Sequence, residues 1–236
     1  MGDPHEIREN WALFLDLDGT LLDIAPKPDL VDVPESLPGD LARLSRGLRG
    51  ALAVVTGRSM EVLDGLLQPF TSPGGAEHGA VVRHPDGELD SVKTNAIPAL
   101  WMHTLNRAAE AWKGIVIEKK PRSVVVHYRL APERAAQVEA LVESLPDLDR
   151  EGFTIMAAKM AFEVKPKFSS KGRAVALLME DIPFAGRIPV FVGDDVTDEA
   201  GIDMARRLGG FGLRVHSHFG DDPAEVRAWI ARGVVA

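Results

Sequence analysis

Short apolar runs punctuate the chain, and each ends in a polar cluster. Trp11-Ala-Leu-Phe-Leu15 leads into Asp16, Ala51-Leu-Ala-Val-Val55 into Thr56-Gly57-Arg58-Ser59, and Ile188-Pro-Val-Phe-Val192 into Gly193-Asp194-Asp195. Runs of this length without alternation predict strands buried on both faces, as in a parallel sheet. Helical patterns fall between them at Pro38–Leu48, Met60–Leu67, Lys171–Met179 and Asp198–Leu208, with a further strand near Gly212–Val215. Strands alternating with helices predict an α/β protein with a doubly wound parallel sheet. Ligands bind beyond the carboxyl ends of such strands, where all three polar clusters fall.

The middle of the chain has a different rhythm. Ile97–Trp112 and Pro132–Leu145 carry helical apolar patterns. Ile115–Glu118 and Ser123–Arg129 alternate like half-exposed strands, and Phe153–Ala157 and Met160–Lys165 read as two more around a turn near Ala158-Lys159. Helix, two strands, helix, two strands predicts a small α+β unit with an antiparallel sheet. The expected organisation is a core of residues 1–96 and 167–236 with residues 97–166 inserted in it.

Composition removes several classes of function. The 236 residues include no cysteine, so disulfides, thiolate zinc sites and cysteine nucleophiles are excluded, and any metal is held by oxygen or imidazole. A formal net charge of −8 disfavours nucleic acid and anionic lipid as partners. A small anionic substrate remains compatible if Lys and Arg gather at its site. The apolar run before Asp16 is far shorter than the ~20 residues of a membrane span and lacks a secretory pattern. The expectation is a cytoplasmic protein, with a monomer favoured.

The strongest chemical signal is Asp16-Leu-Asp18-Gly19-Thr20 directly after a buried run. Two carboxylates at a strand end must be paired or bind a metal; Asp18-Gly19 alone would read as a turn. Gly193-Asp194-Asp195-Val-Thr197-Asp198-Glu199 repeats the situation. Clustered carboxylates raise one another's pKa unless a cation intervenes, and Mg²⁺ is a natural hard partner. Helix N-capping accounts for Thr197, Asp198 and Glu199, but not for Asp194 and Asp195. Thr56-Gly57-Arg58-Ser59 offers a hydroxyl, an open backbone and a helix start, which suit a phosphate or simply cap a helix. Lys171, in Ser169-Ser170-Lys171-Gly172, gains meaning only in this company.

Taken in order, Asp-x-Asp-Gly-Thr, Thr-Gly-Arg, Lys171 and Gly-Asp-Asp-x-x-Asp resemble the haloacid dehalogenase-like phosphatases. Glu77-His78-Gly79, Glu118-Lys119-Lys120, His127-Tyr128-Arg129, Phe162-Glu163-Val-Lys165-Pro166 and Gly-Asp-Asp-Val-Thr-Asp-Glu narrow the resemblance to trehalose-6-phosphate phosphatases, over about Trp11–Val215. One mild departure is Gly201-Ile202, where an aromatic is expected after the glycine. The resemblance implies a Rossmann-like core with an inserted cap domain. It implies a Mg²⁺-dependent phosphatase acting on a small sugar phosphate, with Asp16 as nucleophile, forming an aspartyl-phosphate, and Asp18 as acid and base. Lys171, Thr56 and the Gly57 N–H would hold the phosphoryl oxygens. The metal set implied is Asp16, the Asp18 carbonyl oxygen and Asp194, with Asp195 orienting. The substrate contacts implied are Gly57, Arg58, Glu118, Lys120 and Glu163, while His78 either contacts substrate or caps a turn. Cap closure implies hinges near Pro98 and Pro166. Another sugar phosphatase, a phosphosugar mutase or a catalytically silent sugar-phosphate sensor remain alternatives. Of the remaining residues, Trp11, Trp101, Trp112 and Trp229 read as packing residues, and His216 and His218 as surface.

Overall fold

The computed structural model describes residues 6–25, 30–158 and 160–235. Two compact units are formed, Met1–Ser91 with Ser170–Ala236, and Val92–Ser169. In chain order the first unit supplies β1 (Ile7–Arg8), β2 (Trp11–Leu15), α1 (Leu37–Gly47), β3 (Leu52–Val55), α2 (Met60–Leu67), β4 (Gly74–Ala76), β5 (Val81–Arg83) and β6 (Leu89–Ser91). The second unit holds α3 (Ala99–Ala111), β7 (Val116–Lys119), β8 (Val124–His127), α4 (Ala135–Glu143), β9 (Phe153–Ala158) and β10 (Ala161–Pro166). The first unit resumes with α5 (Lys171–Leu178), β11 (Ile188–Gly193), α6 (Glu199–Arg207), β12 (Phe211–Arg214), α7 (Val215–His218), α8 (Pro223–Arg232) and β13 (Val234–Val235).

The main sheet of the first unit has the order β12-β11-β2-β3-β4-β5-β6. It is parallel from β12 to β4 and antiparallel from β4 to β6. Every residue of β2 and β3 is buried, which is why these segments read as unbroken apolar runs: a central parallel strand has no wet face. Because β2, β3 and β11 are neighbours and parallel, their carboxyl ends emerge side by side. The antiparallel extension β4–β6 was not expected. Its strands are three residues each and begin with Gly74-Gly75, too short and too bare to show a period. The first unit also contains α7, α8 and the small parallel pair β1–β13, none of which the apolar pattern above predicts.

The second unit is an antiparallel sheet of order β7-β8-β10-β9 carrying α3 and α4. Its core is one face of that sheet, Val124, Val126, Phe162 and Val164, packed with Trp101, Leu105, Val138 and Val142 of the two helices. The expected helix over Pro132–Leu145 is shorter, a 3₁₀ turn over Pro132–Arg134 followed by α4. The expected turn at Ala158-Lys159 lies partly outside the described residues, since Lys159 is not among them. Among the described residues no helix is long and apolar enough to cross a membrane.

Candidate active site

Asp16 continues the β2 ladder by one step, its N–H donating to the Val192 carbonyl at 2.9 Å, so its side chain stands at the tip of the sheet. The chain then turns back on itself, with the N–H groups of Leu21 and Leu22 both donating to the Leu17 carbonyl. Gly19 makes this possible in two ways. Its φ of +84° is a conformation side chains rarely adopt, and a Cβ there would lie 2.1 Å from Asp194 Oδ2. Thr20 Oγ1 lies 3.4 Å from both Asp16 Oδ2 and Asp194 Oδ1, so its single proton serves one or the other.

Lys171 opens α5, whose first turn is capped by Ser170 Oγ accepting from the Arg173 N–H. Its Nζ donates to Asp16 Oδ1 at 2.5 Å and to Asp198 Oδ1 at 2.6 Å. All three side chains are buried. The second oxygen of Asp198 accepts the N–H groups of Asp194 and Asp195, each at 3.0 Å. Asp198 thus ties the lysine and the loop after β11 together.

One oxygen each from Asp16, Asp194 and Asp198 lie within 4.8 Å of one another. Three carboxylates share one ammonium, and the electrostatics record the excess of negative charge. Burial, then Asp198, push Asp16 well above the ordinary carboxylate range, against the pull of Lys171. Burial and Asp198 likewise push Asp194 up to about 6. Burial alone would depress the Lys171 ammonium, but Asp16 and Asp198 outweigh it and raise its pKa. A crowded set of hard, under-compensated oxygen donors fits a divalent cation such as Mg²⁺.

The other expected residues divide between the two units. Asp18 is held by Arg58, whose Nε and Nη2 donate to its two oxygens at 2.7 and 2.6 Å. The Arg58 guanidinium, expected on substrate, is therefore engaged with the second aspartate of the motif. Asp195 caps the turn that leads into α6, accepting from the Val196 N–H at 2.6 Å. The carboxylate that joins Asp16 and Asp194 is Asp198, the last residue of the motif Gly-Asp-Asp-x-x-Asp, for which helix N-capping is also a sufficient account in the sequence. Its neighbour Asp194 precedes the turn in non-helical backbone, and the two meet because the Asp198 carboxylate accepts the N–H groups of Asp194 and Asp195.

The loop after β3 is braced from behind. Thr56 is buried and its Oγ1 accepts from the Arg58 N–H at 3.1 Å. The N–H groups of His78 and Glu77 donate to the carbonyls of Thr56 and Arg58. The His78 ring lies against Gly57, where a Cβ would meet its Nε2 at 2.4 Å. Glu118, Lys120 and Glu163 gather in the second unit. Ser123 Oγ and Lys120 Nζ donate to Glu163 Oε1 at 2.5 and 3.4 Å. His127 Nε2 is 2.8 Å from Glu118 Oε2, and this hydrogen bond holds the Glu118 carboxyl below its ordinary range. His216 is exposed, while His218 Nδ1 sits 3.1 Å from the backbone of Arg214.

Known proteins resemble this chain in sequence and in fold. The trehalose-phosphatase family model matches residues 14–225. A probable trehalose-phosphate phosphatase of Sinorhizobium fredii is 44% identical over 207 residues, 88% of this chain and 78% of that protein. The trehalose-6-phosphate phosphatase of Escherichia coli is 36% identical over 211 residues, 89% of this chain and 79% of that one. In fold, the C-terminal domain of the C. albicans trehalose-6-phosphate phosphatase superposes with a TM-score of 0.78 at 21% identity, covering 95% of this chain and 92% of that one. The relatives define the class of the protein, a phosphoric monoester hydrolase. Within that class, the chain belongs to the trehalose-phosphatase family.

The Gly19 geometry gives a direct check. Gly19→Ala is expected to cost about 1–3 kcal/mol from backbone strain. It should also displace Asp194 and reduce the rise in melting temperature on adding Mg²⁺. An unaltered Mg²⁺-induced shift would show that Asp194 does not depend on this close approach.

Proposed function

We propose that the protein hydrolyses trehalose 6-phosphate to trehalose and phosphate, with Mg²⁺, through an aspartyl-phosphate on Asp16. The observation that carries this is the buried Asp16 at the tip of β2, hydrogen-bonded to Lys171 and crowded by Asp194 and Asp198. In the first step an Asp16 oxygen attacks phosphorus and the bond from phosphorus to the sugar oxygen breaks. Asp18 supplies the proton that the leaving oxygen takes up. In the second step Asp18 takes a proton from water as that water attacks phosphorus, and the bond to Asp16 breaks. Two stages replace one difficult displacement.

Charge is the main obstacle. Two unit anions ~4 Å apart repel by ~4 kcal/mol at an effective dielectric near 20. Lys171 supplies one fixed positive charge beside Asp16, and its clamp between Asp16 and Asp198 keeps it from swinging away. Asp16, the Asp18 carbonyl oxygen and Asp194 would hold Mg²⁺, which supplies further neutralisation of the phosphoryl group. Asp198 fixes the loop that presents Asp194, and Asp195 caps the turn behind it. Arg58 fixes where Asp18 stands, and Thr56 with the Gly57 N–H borders the phosphoryl site. Glu118, Lys120 and Glu163 offer charged partners for sugar hydroxyls, the stronger kind of hydrogen bond.

The deciding experiment is phosphate release from trehalose 6-phosphate against sucrose 6-phosphate and glucose and mannose phosphates, with Mg²⁺ and after chelation. Trehalose 6-phosphate should be preferred by at least tenfold in kcat/KM, and chelation should abolish release. Equal rates across the panel would overturn the substrate assignment. Undiminished release in EDTA would overturn the metal assignment.

A further inference from the structure

One strand of the second unit supports both of its candidate sugar-binding carboxylates. Glu118 on β7 and Glu163 on β10 are each paired with Val125 of β8, so the three side chains form one row on one face of the sheet. Two interstrand spacings separate the glutamates, about 10 Å between backbones. The residues two before and two after Val125 share its face. They are Ser123, which donates to Glu163, and His127, which is bonded to Glu118. The opposite face of β8, Val124 and Val126, belongs to the hydrophobic core with Trp101 and Leu105.

We propose that Ser123 and His127 are positioning residues that hold Glu163 and Glu118 ready, at a fixed spacing, for the hydroxyls of the substrate sugar. A free glutamate side chain loses much of its rotamer freedom when it engages a ligand. A carboxylate already fixed by a neighbour loses less, and affinity rises accordingly. Both supports project from the face of β8 opposite Val124 and Val126, away from the core that α3 and α4 pack on. Ser123 is buried at 1% exposure and Glu163 at 2%, and a buried hydroxyl spends its one proton on a specific acceptor. The lowered pKa of Glu118 agrees with an ionised acceptor beside His127.

The inference rests on the substrate assignment above, and the test separates the two. Ser123→Ala and His127→Ala are expected to raise KM for trehalose 6-phosphate about tenfold each, the scale of one hydrogen bond to a charged group. Turnover at saturation should stay within about twofold, and selectivity for trehalose 6-phosphate over p-nitrophenyl phosphate should fall about tenfold. His127→Gln, whose amide can still donate, should restore most of the loss. His127→Ala combined with Glu118→Gln should be no worse than Glu118→Gln alone. An unchanged KM, an equal loss on both substrates, or additive losses in the double variant would overturn the inference. If Glu118→Gln itself left selectivity untouched, the sugar-binding role of this face would fall, and the inference with it.

Discussion

Replacing Asp16 by Asn is expected to cut phosphate release by about 10⁴-fold or more, the usual scale for removing a nucleophile, while leaving the metal-free protein as stable as before or more so. The second half of that expectation follows from the sign of the electrostatics. Burial and Asp198 raise the Asp16 pKa despite Lys171. At neutral pH its charged form therefore weakens the folded state, and a neutral amide of the same shape removes that cost. The gain should disappear as pH falls below the ordinary value of 3.8, where folded and unfolded chains both carry the proton. Lys171 keeps Asp198 as a partner in the variant. Calorimetry in EDTA, set beside rapid-quench assays for phosphoenzyme, measures both halves. Turnover near the wild-type rate would remove Asp16 from the nucleophilic role, and a large drop in melting temperature would show that it acts mainly as a structural partner of Lys171.

The opposite balance is expected at Lys171. Among the described residues its ammonium is the one cation paired with Asp16 and Asp198, and all three side chains are buried. Lys171→Met fills similar space but leaves those carboxylates facing each other without a counter-charge. Removing one partner from a buried ion pair costs about 3–5 kcal/mol. In a chain of this size that corresponds to a melting temperature lower by about 6–20 °C. Added Mg²⁺ should recover part of the loss, because the excess negative charge it meets is larger than in the wild type. Activity should fall by about 10²–10³-fold even under conditions where the variant is folded, since a charged donor to the transferring group is gone. Denaturant titrations with and without Mg²⁺ test the point. A variant as stable as the wild type in EDTA would mean that the three groups are not coupled as the geometry indicates.

The two substitutions touch hydrogen-bonded neighbours yet have opposite expected effects on stability. Three acids crowd around one base, so removing an acid relieves repulsion and removing the base exposes it. This is the usual relation between a functional site and the fold around it, in which the groups needed for chemistry are held at some cost in stability.

Much of this protein follows from local sequence alone. The runs at Trp11–Leu15, Leu52–Val55 and Ile188–Gly193 are strands because no polar residue interrupts them, and a polar residue ends each because that is where the strand leaves the core. Asp16, Thr56 and Asp194 are legible for the same reason, since they stand at the three places where apolar character stops. The α+β alternation of residues 97–166 is likewise local, a matter of period 2 against period 3.6. Tertiary structure decided which of these groups meet. Asp198 could have been an ordinary N-cap, and only the packing of α5 beside α6 brings Lys171 onto it. The bond from Arg58 to Asp18 spans forty residues and has no local signature. The row Glu118–Val125–Glu163 depends on strand register across an entire unit. A residue's period reports whether it faces core or solvent, a property of its own segment. Its partner across the fold depends on how segments pair, and no single segment carries that information.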